Sequence, residues 1–126
     1  MKKQLEHANR NKALSEQLLV DKKYFDWVIT TAFYSAIHFV ENKLLPIEIS
    51  KLKCRNINEV MRAYNMRGRH ASRERLVCDN LNMDVAVKYK WLDDKSRYAR
   101  YTTYKVTSAE ADKAKQYLDE ICKACL

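Results

Sequence analysis

The sequence predicts an all-α protein: an antiparallel bundle of four main helices with one or two short extra helices. Three observations carry this expectation. The 126 residues contain one glycine and one proline; tight hairpins need residues with unusual dihedrals, whereas helix interiors avoid both. Between Tyr24 and Leu45, Phe25, Val28, Ile29, Ala32, Phe33, Ala36, Val40 and Leu44 recur at helical spacings, so this stretch is apolar on most sides and needs other helices to cover it. Near the C-terminus, Thr107 followed three residues later by Glu110 forms a capping box, with Val106 and Ala111 placed as a hydrophobic staple.

The first helix is expected from Gln4 to about Leu19, with Leu5, Ala8, Leu14 and Leu18 inward and Lys12 four residues before Glu16. Asp21 is placed to cap the second helix by accepting its unpaired first-turn amides. That central helix stops before Pro46, which disfavours helical geometry in its predecessor. Residues 46–56 are read as a connection. The alternation of Ile47 and Ile49 suggests a strand, but no partner strand is evident, and a strand is rejected. A helix from Ile57 to Met66 turns Val60, Met61 and Tyr64 inward, and Gly68 serves as its C-cap or a tight turn. A short helix from about Ala71 to Asp79 is anchored by Leu76 and Val77. From Met83 to Tyr101, Val85, Tyr89, Leu92, Ser96 and Ala99 share a side. The last helix runs from the capping box to about Cys125 and packs Ala111, Ala114, Leu118 and Ile121. No repeat or linker divides the chain, so a single domain is expected.

The formal net charge is +8 and it is unevenly placed. Residues 51–75 hold eight Lys and Arg against Glu59 and Glu74; residues 84–105 hold six against Asp84, Asp93 and Asp94. A concentrated positive field attracts polyanions, which points to RNA or a nucleotide as partner. No apolar run reaches membrane-spanning length and no apolar stretch follows the basic N-terminal residues, so no membrane contact and a cytoplasmic location are expected. Only Cys122 and Cys125 of the four cysteines have a zinc-like gap, and they fall at a helix end. They are read as reduced, with no metal and no cofactor.

Three groups of residues could carry chemistry. His70 stands among Arg69, Arg73 and Arg75. A histidine beside guanidinium groups can move a proton while arginines grip phosphate, which is what a metal-independent ribonuclease needs. The same turn also reads as a plain anion site, or as a solvated basic surface, and Arg67 belongs to it. In RYARYTTY, residues 97–104, Arg97, Arg100 and Tyr101 interleave cations with aromatics, suited to phosphate and base contact. Trp27, Tyr34 and His38 form a polar stripe on the central helix, read as structural or as an interface. Paired acid–base carboxylates are read as absent, no acidic cluster converges on the histidines, and one glycine excludes glycine-rich phosphate loops.

The succession WVITTAFYSAIHFVENKLL at 27–45, RHASRER at 69–75, LDDKSRYARY at 92–101 and TSAEADKA at 107–114 resembles the HEPN superfamily, above all its small stand-alone prokaryotic members. The resemblance covers nearly the whole chain. It implies a dimeric helical bundle, and in many members a metal-independent ribonuclease whose site forms across the dimer from an arginine followed several residues later by histidine. This chain has the reverse order, His70-x-x-Arg73. The carry-over is therefore a polar site at His70 and Arg73. Three functions follow as expectations: an RNA- or nucleotide-binding homodimer, an endoribonuclease toxin with His70 as general acid/base and Arg73 as phosphate clamp, or a non-catalytic subunit holding a cognate antitoxin or nucleotidyltransferase-type partner.

Overall fold

The computed structural model describes residues 2–126 and is mostly helical. Its order is α1 (Lys2–Asp21), α2 (Phe25–Leu44), β1 (Ile47–Ile49), β2 (Leu52–Cys54), α3 (Ile57–Ala63), α4 (Arg69–Asn80), α5 (Met83–Tyr101) and α6 (Ser108–Ala124). The central helix expected from its apolar periodicity is α2. It packs against α1, α5 and α6, and touches α4. Val28, Ile29, Ala32, Phe33, Ala36, Phe39 and Val40 are all fully buried along it, each Val, Ile or Phe side chain contributing about 1.5–3 kcal/mol by leaving water.

The α1–α2 seam is made of small residues and two buried hydroxyls. Ser15 Oγ donates to the Val28 carbonyl at 2.9 Å, and Ser35 Oγ donates to the Ala8 carbonyl at 2.7 Å. Each hydroxyl is thereby satisfied without water, and the helices approach closely. The capping box is present in full: Thr107 Oγ1 accepts from the Glu110 amide at 3.1 Å, and Glu110 Oε1 accepts from the Thr107 amide at 2.9 Å. Asn56 and Asn82 cap α3 and α5 in the same manner.

Three local expectations are corrected. Asp21 does not cap α2: it ends α1, and Tyr24 occupies the N-cap position without a side-chain bond. The rejected strand exists. Ile47–Ile49 pairs antiparallel with Leu52–Cys54, its partner lying two residues further on. The intervening Ser50 and Lys51 have φ of 50° and 69°, the left-handed pair that two-residue hairpin turns require and that Asn-Gly usually announces. Third, the reversal after α3 falls on Asn65, at φ 55°, whereas Gly68, at φ 89°, is the N-cap of α4.

Leu45, Cys54, Ile57, Val60 and Leu76 form a satellite core under the hairpin, separate from the main one. Leu76 joins this cluster while its neighbour Val77 enters the main core. The two residues pin α4 to both cores at once, and this sets the position of its first turn, where Arg69 and His70 stand. Among the described residues no helix is long and apolar enough to cross a membrane.

Candidate functional site: a cleft along α4 and α5

The first turn of α4 and the middle of α5 enclose a cavity of about 370 Å³, lined by Arg69, His70, Glu74, Lys90, Asp94 and Arg97 among others. The His70 ring lies against Phe33, 5.7 Å between centroids, and its side chain is 43 % exposed. Its Nδ1 is enclosed and without a hydrogen-bond partner, 3.8 Å from Asp93 Oδ1, too far for a hydrogen bond. Burial, then the charges of Arg73, Arg97 and Arg100, hold His70 below the ordinary histidine pKa, so the neutral imidazole is favoured.

Beneath His70 lies a carboxyl pair that inspection of the sequence does not find. Asp93 is fully buried, and its Oδ1 accepts from Arg97 Nη2 at 2.8 Å. Glu74, one turn beyond His70, is pushed up to about 7, first by burial and then by hydrogen bonding to Asp93 and by its negative charge. A neighbouring negative charge disfavours ionisation of Glu74, so its neutral form persists toward neutral pH. The expectation that paired carboxylates are absent is corrected by Glu74 and Asp93, although no metal-holding cluster of acidic residues and histidine forms among the described residues. Glu74 and Asp93 lie nineteen positions apart on different helices, and only the α4–α5 packing brings them together.

Arg73 is not where the sequence places it. Its Nε donates to Glu41 Oε2 at 2.5 Å, with side chains only 13 % and 9 % exposed. It does not line the cavity. Glu41 Oε1 also accepts from Gln4 Nε2 at 2.9 Å, and Gln4 Oε1 in turn lies 2.5 Å from His38 Nδ1. A carboxylate only accepts, which orients the Gln4 amide; its oxygen only accepts, so His38 Nδ1 carries the hydrogen. His38 is thus held in a polar chain that ties α1, α2 and α4 together, with His7 edge-on at 4.8 Å. Burial, with the charge of His7 next, lowers its pKa.

Tyr34 parts company with His38 and turns toward α5, where the Arg100 guanidinium stands 5.4 Å from its ring and 5.2 Å from that of Tyr101. Arg100 Nε and Nη1 are enclosed without an acceptor. Arg69 and Arg75 are engaged: Arg69 Nε donates to Asn58 Oδ1 at 3.1 Å, and Arg75 lies over the Tyr64 ring and 3.7 Å from Asp79. Arg67 is exposed on the turn before α4. Beside Arg100 a second cavity of about 540 Å³ opens, lined by Asp26, Trp27, Thr30, Tyr101 and Tyr104 among others.

No family model, curated protein or solved structure matches this chain.

The structure therefore gathers His70, Arg69, Arg97 and Arg100 along one edge, adds Glu74 and Asp93, and removes Arg73, Arg75 and His38 to other surroundings. The cysteines are dispersed as free thiols: Cys54 and Cys125 are buried, Cys122 is half-buried and Cys78 is exposed.

Proposed function

We propose that this chain is a HEPN-like domain, its four long helices forming an antiparallel bundle, that binds RNA as a homodimer along the edge that runs from the α4–α5 cleft to the Arg100 cavity. The observation that carries the reading is Arg100. Arg69, Arg73, Arg75 and Arg97 each have a protein acceptor, whereas Arg100 is held by tyrosine rings alone and its charge is uncompensated. An enclosed guanidinium without a counter-ion is costly unless a ligand anion completes it, and phosphate is the anion whose geometry suits it. Exposed apolar side chains at Leu14, Val20 and Tyr24 offer the surface on which two copies would pair.

The test is RNA binding followed by fluorescence anisotropy across a salt series, together with sedimentation. The wild type binds with an affinity that falls as salt rises. The Arg69→Gln, Arg100→Gln double variant, which leaves every ion pair in place, binds at least tenfold more weakly. Equal affinity in the two proteins overturns the reading.

A second reading, metal-independent RNA cleavage, is favoured by the neutral His70 and the Glu74 carboxyl facing one cavity. His70 would take the proton of an RNA 2′-hydroxyl as its oxygen attacks the adjoining phosphorus. Glu74, with a pKa of about 7, would return a proton to the departing 5′-oxygen. Cleavage in EDTA that is lost in His70→Ala supports it; intact RNA with wild-type protein removes it.

A further inference from the structure

The cavity beside Arg100 differs from the cleft in its walls. Three of its side chains are exposed aromatics, Trp27 at 51 %, Tyr101 at 77 % and Tyr104 at 68 %. Soluble proteins seldom leave three large rings around one opening, and flat rings at a cavity beside a cation suit a nucleobase with its phosphate. Trp27 comes from α2, Tyr101 ends α5, and Tyr104 lies in the connection to α6. The walls therefore come from parts of the chain far apart in sequence. The charge at the rim is the Arg100 guanidinium, which lacks a protein acceptor.

Among the lining side chains Asp26 is the one that only accepts, whereas the Arg, Trp, Tyr and Thr side chains carry donors. Asp26 supplies a carboxylate, which has acceptor sites only. Thr30 Oγ1 already donates to the Asp26 carbonyl at 2.9 Å, so it adds no donor toward the opening. Thr103 Oγ1 accepts from the Lys105 amide at 3.1 Å. A carboxylate pairs with a base through two adjacent N–H groups. Guanine alone has them, at N1 and N2. Adenine and cytosine place an unprotonated ring nitrogen beside their amino group, and uracil flanks its single N–H with carbonyls; each would set an acceptor against Asp26.

We infer that this cavity is a guanine subsite for single-stranded RNA, with Trp27 and Tyr101 stacking the base, Asp26 accepting from its N1 and N2 hydrogens, and Arg100 holding the adjoining phosphate. The inference rests on the RNA-binding reading for its ligand class and adds base identity and strandedness to it. A base paired in a duplex has its N1 and N2 hydrogens occupied, so duplex RNA is refused at this subsite.

The experiment uses the Trp91→Phe protein, in which Trp27 is the remaining tryptophan. Trp91 packs edge-on against Tyr117, 5.4 Å away and outside the cavity. Trp27 fluorescence is titrated with GMP, AMP, CMP and UMP, then with a single-stranded RNA heptamer carrying one central guanine, the same heptamer with adenine there, and the guanine heptamer paired to its complement. The expected result is quenching by GMP and by the guanine single strand at concentrations at least tenfold lower than their adenine counterparts. Quenching by GMP but not by either single strand would identify a free-nucleotide site and overturn the RNA assignment. Asp26→Asn, at a half-buried surface position, removes the guanine preference while retaining the salt-dependent component of binding. Equal quenching by all four nucleotides, or no quenching while anisotropy still reports salt-dependent RNA binding, overturns the subsite and leaves the cleft standing. Absence of RNA binding by both measurements overturns the two together.

Discussion

Arg73 Nε lies 2.5 Å from Glu41 Oε2, and this buried pair takes the arginine three residues beyond His70 out of the cleft that His70 lines. The pair joins α4 to α2, thirty-two residues earlier in the chain. Its role is structural, because a guanidinium that leaves Glu41 to grip a phosphate abandons a desolvated carboxylate. Arg73→Met alone is expected to cost about 3–5 kcal/mol of unfolding free energy, since the partner charge stays buried. Adding Glu41→Leu recovers most of the loss. Urea denaturation of the four proteins of this cycle measures both effects; a double variant as unstable as the single one refutes the assignment.

Gly68 opens α4 at φ +89°, where an added Cβ meets nothing within 4 Å. Any penalty for Gly68→Ala is therefore backbone strain and not a clash. We expect a loss of about 1–3 kcal/mol, read from the urea midpoint. The change also disturbs Arg69 and His70, the next two residues, so RNA affinity falls in the folded variant. An unchanged midpoint would mean that the turn relaxes to accept alanine.

Thr107 and Glu110 exchange hydrogen bonds at the start of α6, and Glu110 also pairs with Lys95 of α5. The Lys95 contact, the hydrogen bond from the Thr107 amide and that from its side chain together hold Glu110 below the ordinary carboxylate range. Thr107→Ala removes one cap acceptor and is expected to cost about 1 kcal/mol. A loss within a few tenths of zero would show that water replaces the hydroxyl at this exposed end.

The elements read most readily from sequence were those whose signal is local. The apolar period of α2, the 83–101 face and the Thr107–Glu110 box each lie within one continuous stretch, and each appears at the expected residues. The hairpin was missed because Ser50-Lys51 is an unusual pair for two positive φ angles. Its stability comes from covering the satellite core, which is invisible until α3 and α4 are in place. The site behaves likewise. His70 and Arg97 stand out as residue types, but the Glu74–Asp93 pair exists only through helix packing. The fate of Arg73 depended on Glu41, which looked like one more polar position on an apolar helix. Helical spacing alone put Tyr34 with His38, whereas the covering helices draw one toward α5 and the other toward α1.

Glu74 gives the fold a pH dependence of unusual sign for a carboxylate. Its pKa rises from an ordinary 4.5 to about 7 in the folded protein, burial being the larger cause and Asp93 the next. Between those values the folded chain holds a proton that the unfolded chain has released, so this residue's stabilisation is complete below pH 4.5 and lost as pH rises through 7. His38 and His70 act in the opposite sense. Both are held below the ordinary 6.5, so the unfolded chain binds their protons first, and stability grows as pH rises toward 6.5. The wild-type profile is the difference of these trends; Glu74→Gln removes only the first, because its amide stays neutral at every pH. The variant is therefore expected to gain on the wild type in urea midpoints from pH 5 to about pH 7 and to level off by pH 8. Asp93→Asn keeps part of the falling trend, since burial outlasts the lost charge. A gap between wild type and Glu74→Gln that is the same at pH 5 and pH 8 would mean that Glu74 ionises normally. The neutral Glu74 carboxyl would then be absent near neutral pH, and with it the acid assigned to the cleavage reading.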